Sequence, residues 1–236
     1  MIRASCICST DDKSLFSIAH TFPSTSPFEN YAGMVIGRCS RCGMQKTLRK
    51  NKQNFDPMQS RGQWYLHNEE EMSRAFTPLL SIIKRNLPTD AYIIDVGCSS
   101  GTLLSLLKKD GYENLWGVEP NKKAYLQAKK SGLTNTFHGT LDSIKKKLPR
   151  QADLVIYNHV LEHVPKPQEE LLLASKMLSQ EGYLLIGVPN RDNIVYQFRG
   201  MYWESLMPLE HIWHFGTQDL ERLLESHKLA ILEKNV

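Results

Sequence analysis

A chain of 236 residues, 41% of them hydrophobic and with a formal net charge of +4, has room for one large domain or for one domain with a small attachment. No apolar run is long enough to span a membrane, and Met1-Ile2-Arg3-Ala4-Ser5 lacks the apolar core of a signal peptide, so a cytoplasmic protein is expected. The charge is too mild to point to nucleic acid as a partner, and five cysteines, an odd number with no sign of secretion, argue against a disulfide framework.

Residues 1–55 hold Cys6-Ile7-Cys8, a Ser/Thr/Pro-rich loop from Thr21 to Pro27, and Cys39-Ser40-Arg41-Cys42-Gly43. Hydrophobic periodicity is poor there, and the segment alone buries too little apolar surface to order itself. Cys39-x-x-Cys42-Gly43 has the spacing of a zinc knuckle: two thiolates on one turn, with a glycine that permits a tight backbone. Its partner Cys6-x-Cys8 is one residue shorter than usual. A structural tetrahedral zinc site of Cys6, Cys8, Cys39 and Cys42 is the preferred reading, with His20 able to replace one thiolate; four reduced thiols are the alternative. The basic scatter Arg38, Arg41, Lys46, Arg49, Lys50 and Lys52 lies beside these cysteines, whereas Lys145-Lys146-Lys147 reads as solvated surface.

Asn68-Glu69-Glu70-Glu71 is a helix start with acids in its first turn. Met72, Phe76, Leu79, Leu80 and Ile83 follow at helical spacing, and Pro88 lies beyond the end. From residue 91 strands and helices alternate. Strands are expected at Tyr92–Val96, Leu115–Val118, near Thr134–His138, at Asp153–Tyr157, Gly182–Val188 and Leu229–Glu233. Helices are expected over about Thr102–Lys109, Lys122–Ser131, Gln168–Leu178 and Thr217–His227. Repeated strand–helix units imply a doubly wound parallel α/β sheet with right-handed crossovers.

The stretch Ile93-Ile94-Asp95-Val96-Gly97-Cys98-Ser99-Ser100-Gly101 runs from a strand through a tight turn into a helix start. An open parallel sheet presents a nucleotide-like ligand in this way. The spacing is DxGxxxG, not GxGxxG; no basic residue sits in the loop, and the Lys-Ser/Thr of a P-loop is missing. An adenosine with an amino-acid tail suits it better than a polyphosphate. Ligands of such sheets bind at the strand ends, here Asp95 and Gly97, then Glu119, then Leu141-Asp142, then Asn158-His159. Glu119 stands about twenty residues past the first turn, the place of an acid for a ribose diol.

Asp95-Val96-Gly97-Cys98-Ser99-Ser100-Gly101, Gly117-Val118-Glu119-Pro120, Asp153-Leu154-Val155-Ile156 with His159-Val160-Leu161-Glu162-His163-Val164, and Glu181-Gly182-Tyr183-Leu184-Leu185-Ile186-Gly187-Val188-Pro189-Asn190 occur in this order. Together they resemble the class I S-adenosylmethionine-dependent methyltransferases, nearest to the branch shared by ubiquinone-pathway and sugar-modifying enzymes. The resemblance covers roughly residues 65–234. It implies a Rossmann-like parallel sheet over residues 56–236, preceded by a small zinc-ribbon-like segment over 1–55, as sugar C-methyltransferases also have paired N-terminal cysteines.

The resemblance further implies that Gly97 and Gly101 let the backbone approach the methionine part of S-adenosylmethionine, with Asp95 ordering the loop or the amino group. Glu119 would take both ribose hydroxyls, Leu141 and Asp142 would flank the adenine, and Asn158 and His159 would line the floor beneath the sulfonium. Family members often carry glycine at position 99 and an acid at position 140; this chain has Ser99 and Thr140.

Methyl transfer is an in-line displacement, so alignment dominates and a base can remove the acceptor's proton. Histidine is the natural base, and His159, His163, His211 and His214 follow strands four and five. Pro208-Leu209-Glu210-His211-Ile212-Trp213-His214-Phe215-Gly216 resembles a segment of deoxysugar C-methyltransferases whose Glu and His act near the substrate. On that resemblance His211 is the base, Glu210 its companion and His163 the second candidate. A metal-assisted alternative uses His159, Glu162 and His163 with His211 or His214; a neutral histidine at 159, where such enzymes have a carboxylate, disfavours Mg²⁺. Tyr196, Phe198, Tyr202, Trp203 and Trp213 suggest packing or a lid over an apolar or sugar-like substrate.

The expected function is methylation of a small-molecule acceptor of sugar, lipid or quinone-precursor type. Methylation of RNA or protein recruited by the zinc segment, or a non-catalytic binding module, are the alternatives. The chain stops just after the sixth expected strand, which predicts either a truncated protein or a six-stranded sheet whose exposed edge favours a homodimer.

Overall fold

The structure is a computed structural model that describes residues 2–8, 14–23, 31–49, 69–148 and 151–235. In chain order its elements begin with β1 (Ile2–Ala4), β2 (Ser14–Thr21), β3 (Val35–Cys39), β4 (Gln45–Arg49), α1 (Glu69–Ala75), α2 (Thr77–Asn86), β5 (Ile93–Val96) and α3 (Thr102–Lys109). Then follow β6 (Leu115–Glu119), α4 (Lys122–Lys130), β7 (Thr136–His138), α5 (Leu141–Ile144), β8 (Ala152–Asn158) and α6 (Pro167–Met177). The chain continues with β9 (Leu178–Gly187), α7 (Ile194–Arg199), β10 (Trp213–His214) and α8 (Thr217–Ser226). The expected helix start at Asn68, and Lys50 and Lys52 of the basic scatter, lie outside the described residues.

The chain divides into two compact units, one of residues 1–55, 161–172 and 188–236, the other of residues 56–160 and 173–187. Residues 161–172 and 188–236 thus group with the N-terminal segment. The reason is visible in the pairing: β10 adds to the N-terminal sheet beside β4, with Trp213 opposite Lys46 and His214 opposite Gln45.

The unit of 56–160 and 173–187 carries a five-stranded parallel sheet in the order β7-β6-β5-β8-β9. Strand β5 is central, so strand order reverses beside it, and its carboxyl end faces the crevice where such sheets bind ligands. Helix α3 forms where expected because Leu103, Leu104 and Leu107 recur on one buried face. These leucines pack with Ile83, Ile93, Leu115, Leu154 and Ile156 in one core. Each such fully buried side chain contributes roughly 1.5–3 kcal/mol. The single helix expected before β5 is interrupted at Phe76, because Pro78 falls in the first turn of α2 and cannot continue a helix from before it.

The other unit carries an antiparallel sheet in the order β1-β2-β3-β4-β10. The N-terminal segment is thus more ordered than its periodicity suggested: Phe22, Met34 and Ile36 are buried with Leu206 and Leu209, residues supplied from far along the chain. The sixth expected strand, Leu229–Glu233, is absent: residues 229–235 form no strand, and Leu232 is 77% exposed. Alternating apolar residues there join no sheet, so among the described residues the parallel sheet has five strands, with β7 and β9 at its edges.

Candidate active site

At the end of β5 the chain turns through Gly97, Ser99 and Gly101, all left-handed, with φ of 73°, 50° and 81°. Gly97 N and Cys98 N donate to Val118 O at 2.8 and 3.1 Å, and Gly101 N donates to Cys98 O at 2.9 Å. Gly101 is required twice over, by its positive φ and because a Cβ there would lie 2.1 Å from Leu133 Cδ1. Ser99 holds a conformation that L-residues avoid by about 1–2 kcal/mol. What fixes it is Glu119, whose Oε2 accepts from Ser99 N at 2.8 Å while Oε1 accepts from Asn121 N at 2.6 Å. The acid at the end of β6 thus clamps the loop and still has lone pairs for further donors.

Asp95 and Glu119 are both buried beside this loop. Burial first, then the nearby Glu119 charge, pushes the Asp95 carboxyl up to about 8. Burial also raises Glu119, against the lowering effect of the Asn121 and Ser99 amides. Cys98 is buried with its thiol pushed well up by the same burial, so it is a packed residue and no nucleophile.

Leu141 opens α5 with its side chain buried, whereas Asp142 is exposed and pairs with Lys145 at 2.5 Å. At position 140 the backbone N–H is taken by Ser143 Oγ at 3.0 Å, a helix start in place of the acid common in the family. At the end of β8, Asn158 occupies the space a side chain at Gly187 would need, 2.4 Å from that Cβ position. His159 is exposed and left-handed, φ 57°, and its N–H donates to Gly187 O at 2.8 Å.

The second cluster lies in the other unit. Glu162, His163 and His211 bring one ligand atom each within 4.8 Å of one another. Glu162 Oε1 is 3.8 Å from His163 Nε2 and 4.0 Å from His211 Nε2, beyond hydrogen-bond length but within reach of an imidazolium charge or a shared cation. The two rings meet edge to face at 4.7 Å. His163 Nδ1 donates to Glu210 O at 3.2 Å; a carbonyl only accepts, so in the neutral ring Nε2 is the lone pair that faces Glu162. Glu210 accepts from His163 through its main-chain carbonyl, and the carboxylate of Glu162, a residue the sequence offered only as a metal ligand, lies within 4.0 Å of both rings.

His214, its ring centroid 6.3 Å from that of His211, bonds elsewhere. Thr47 Oγ1 donates its single hydrogen to His211 O at 2.9 Å, so its oxygen accepts from His214 Nε2–H, also at 2.9 Å. Among the described residues, neither His159 nor His214 joins the Glu162 group. Ile212 N and Trp213 N donate to Glu162 O at 2.7 and 3.1 Å, and Trp213 Nε1 donates to Val164 O at 3.0 Å, which laces the 210–214 segment to the residues around Glu162.

Cys6, Cys8, Cys39 and Cys42 form a third group, their sulfurs all within 4.8 Å of one another. Cys6 Sγ lies 3.6 Å from Cys42 Sγ, and Cys8 Sγ 3.8 Å from Cys39 Sγ. These are not disulfide lengths, and a tetrahedron with 2.3 Å zinc–sulfur bonds has edges of about 3.8 Å. The hydrogen bond between Cys6 and Cys42 lowers the Cys42 thiol and raises that of Cys6, and burial raises Cys8.

A family described as a methyltransferase domain matches residues 65–234. The chain is similar to a ubiquinone biosynthesis O-methyltransferase of Photorhabdus laumondii, 30% identical over 141 residues, a match that spans 58% of this chain and only 58% of that protein's length. A protein of the same description from Vibrio cholerae is 28% identical over 182 residues, 74% of this chain and 73% of its own. Among solved structures, a SAM-dependent methyltransferase from Thermotoga maritima shares the fold with a TM-score of 0.53 and 22% identity, over 72% of this chain and 76% of that one.

Proposed function

Because this chain belongs to the methyltransferase-domain family, we propose that it transfers a methyl group from S-adenosylmethionine to a small-molecule acceptor. The observation that carries the reading is the left-handed loop Gly97–Gly101 clamped by Glu119. The residues present suit the cofactor: Asp95 is a buried acid that a cationic ammonium would ionise, and Glu119 keeps acceptor capacity for hydroxyl donors. Gly97, Gly101 and Asp95 would hold the amino-acid part, Glu119 the ribose, Leu141 and Asp142 the adenine edge, and Asn158 and His159 the floor. When bound, the cofactor supplies an activated methyl on a sulfonium.

The chain's own part is alignment and proton removal. His211 is the proposed base, with His163 as second candidate and Glu210 fixing His163 through its carbonyl. Glu162 would stabilise whichever imidazole takes the proton. The quinone-precursor class is favoured among acceptors because the similar proteins are described as acting in ubiquinone biosynthesis. Zinc on Cys6, Cys8, Cys39 and Cys42 is proposed as a structural ion, supported by sulfur separations close to a tetrahedral edge.

A second reading makes the Glu162, His163 and His211 group a cation site that assists the acceptor, supported by the convergence of their ligand atoms. One set of measurements separates these readings. Calorimetry should detect S-adenosylmethionine binding, weakened at least tenfold in Glu119→Ala. A cofactor-dependent methylation screen against cell extract should show incorporation that His211→Ala reduces by about 10²–10⁴-fold with cofactor affinity unchanged. Absence of cofactor binding sinks the function itself. Activity lost on chelation and restored by a divalent ion, with the cysteine-bound metal intact, favours the cation reading over the base.

A further inference from the structure

In the unit that carries the cysteine cluster, a cleft of about 960 Å³ is lined by residues of β2–β4, α7 and α8 and the segments around them. Ligand pockets commonly hold about 300–1,000 Å³. Three of its features point to one ligand chemistry. Asp219 is buried and accepts from Arg191 Nη2 at 2.5 Å, from Arg222 Nη2 at 2.6 Å and from Gly216 N at 2.9 Å, so one carboxylate serves two guanidinium groups and leaves a positive charge over. Arg191 is nine-tenths buried, and its Nε has no hydrogen-bond partner among the described residues. A buried cationic N–H without an acceptor is costly.

Arg38 adds a third guanidinium to the same lining, and among the described residues no carboxylate pairs with it. Burial and then the Arg38 charge lower the His20 pKa, so that ring is neutral. Tyr196 Oη donates to Gln45 Oε1 at 3.0 Å and therefore accepts from His20 Nε2–H at 2.7 Å, a polar wall beside Arg38. Glu221 pairs with Lys234 at 2.7 Å, while Asp192, whose Oδ2 accepts from Thr217 N at 2.7 Å, keeps its charge; against Asp192, Asp219 and Glu221 the lining sets Arg38, Arg191, Arg222 and Lys234, one positive charge in excess.

We propose that this cleft binds a small polar ligand through an oxyanion, a phosphate or a carboxylate, held by Arg38 and Arg191. Planar guanidinium forks match either group. The site does not depend on the methyl-transfer reading, since none of its lining residues belongs to the proposed cofactor cradle.

Titration calorimetry on the full chain tests it, with inorganic phosphate and with succinate at constant ionic strength, each repeated with S-adenosylhomocysteine in excess. Saturable binding of one anion is expected, weakened about tenfold in Arg38→Gln, the loss of one charge-assisted bond. Arg38 is exposed, so an unchanged denaturation midpoint is expected for that variant. Arg191→Lys, which retains the charge but lacks the planar fork, should weaken binding as well. Phosphate alone identifies a phosphorylated ligand and succinate alone a carboxylate; both support the site. No saturation by either anion in the millimolar range, equal binding by wild type and both variants, or displacement by S-adenosylhomocysteine would overturn it.

Discussion

Ser99 occupies a backbone conformation that glycine would adopt without steric penalty, and its φ of 50° explains why glycine is common at this position in the family. Ser99→Gly should therefore raise stability by about 0.5–1 kcal/mol, the left-handed penalty relieved less the extra chain entropy of glycine, read as a shift in the urea midpoint. Asp95 carries a pH signature of the opposite kind. Its folded pKa of about 8 lies above the 3.8 of an unperturbed Asp, so its contribution to stability is full below pH 3.8 and is lost as pH rises through 8. Unfolding free energy should fall across that window, and Asp95→Asn should flatten the slope; an unchanged slope would show that Asp95 is not the group responsible. Side-chain partnerships of this kind were only partly legible in the sequence. The DxGxxxG spacing and the acid at 119 mark the loop, because backbone geometry restricts which residues can stand there. Nothing in a linear sequence reveals that Glu119 would hold Ser99 N, or that Glu162 would turn its carboxylate to His163 and His211.

Most elements with their own periodicity were read within a residue or two, although β9 begins at Leu178, four residues before the expected Gly182. Helix α3 begins at Thr102 and ends at Lys109, as its leucines require, and β8 follows an uninterrupted apolar run. Elements that owe their form to a distant partner were not. β10 is two residues long and exists because β4 offers it an edge, and Leu229–Glu233 has a strand's composition with no edge to take it. The junction of β4 and the 211–214 segment rests on Thr47, whose hydroxyl bonds both His211 O and His214 Nε2. Thr47→Val keeps shape and burial but removes both bonds, and should cost about 2 kcal/mol in a chemical denaturation series. A loss within experimental error would mean that packing alone seats this segment.

Across the molecule, the two units draw on different sources of stability. The parallel-sheet unit has an apolar core built by its own helices and strands. The antiparallel unit buries Phe22, Met34 and Ile36 with Leu206 and Leu209 and adds a four-thiol group. If that group holds zinc, stripping it with a chelator under reducing conditions should strip amide-exchange protection from β1 to β4 and β10, because a structural zinc site supplies folding energy outright. Protection in β5, β6 and β8 should stay as it was. Equal loss everywhere, or none in the antiparallel sheet, would contradict the assignment. Fold class was legible at this scale because βα alternation leaves few topologies open. The grouping of 188–236 with the N-terminal residues was not, since it depends on long-range strand addition.

The pairing of Trp213 with Lys46 has a temporal consequence. A ribosome releases residues in order, so β1 to β4 emerge long before the strand that closes their sheet has been translated. Until then β4 presents a bare edge, and Phe22, Met34 and Ile36 lack the Leu206 and Leu209 that cover them. The N-terminal ribbon must wait, open and prone to mispairing, for nearly the whole of synthesis. If the four thiols hold zinc, an early bound ion would reinforce the β1 to β4 pairing during that interval, and metal supply would then bear on yield as much as on final stability.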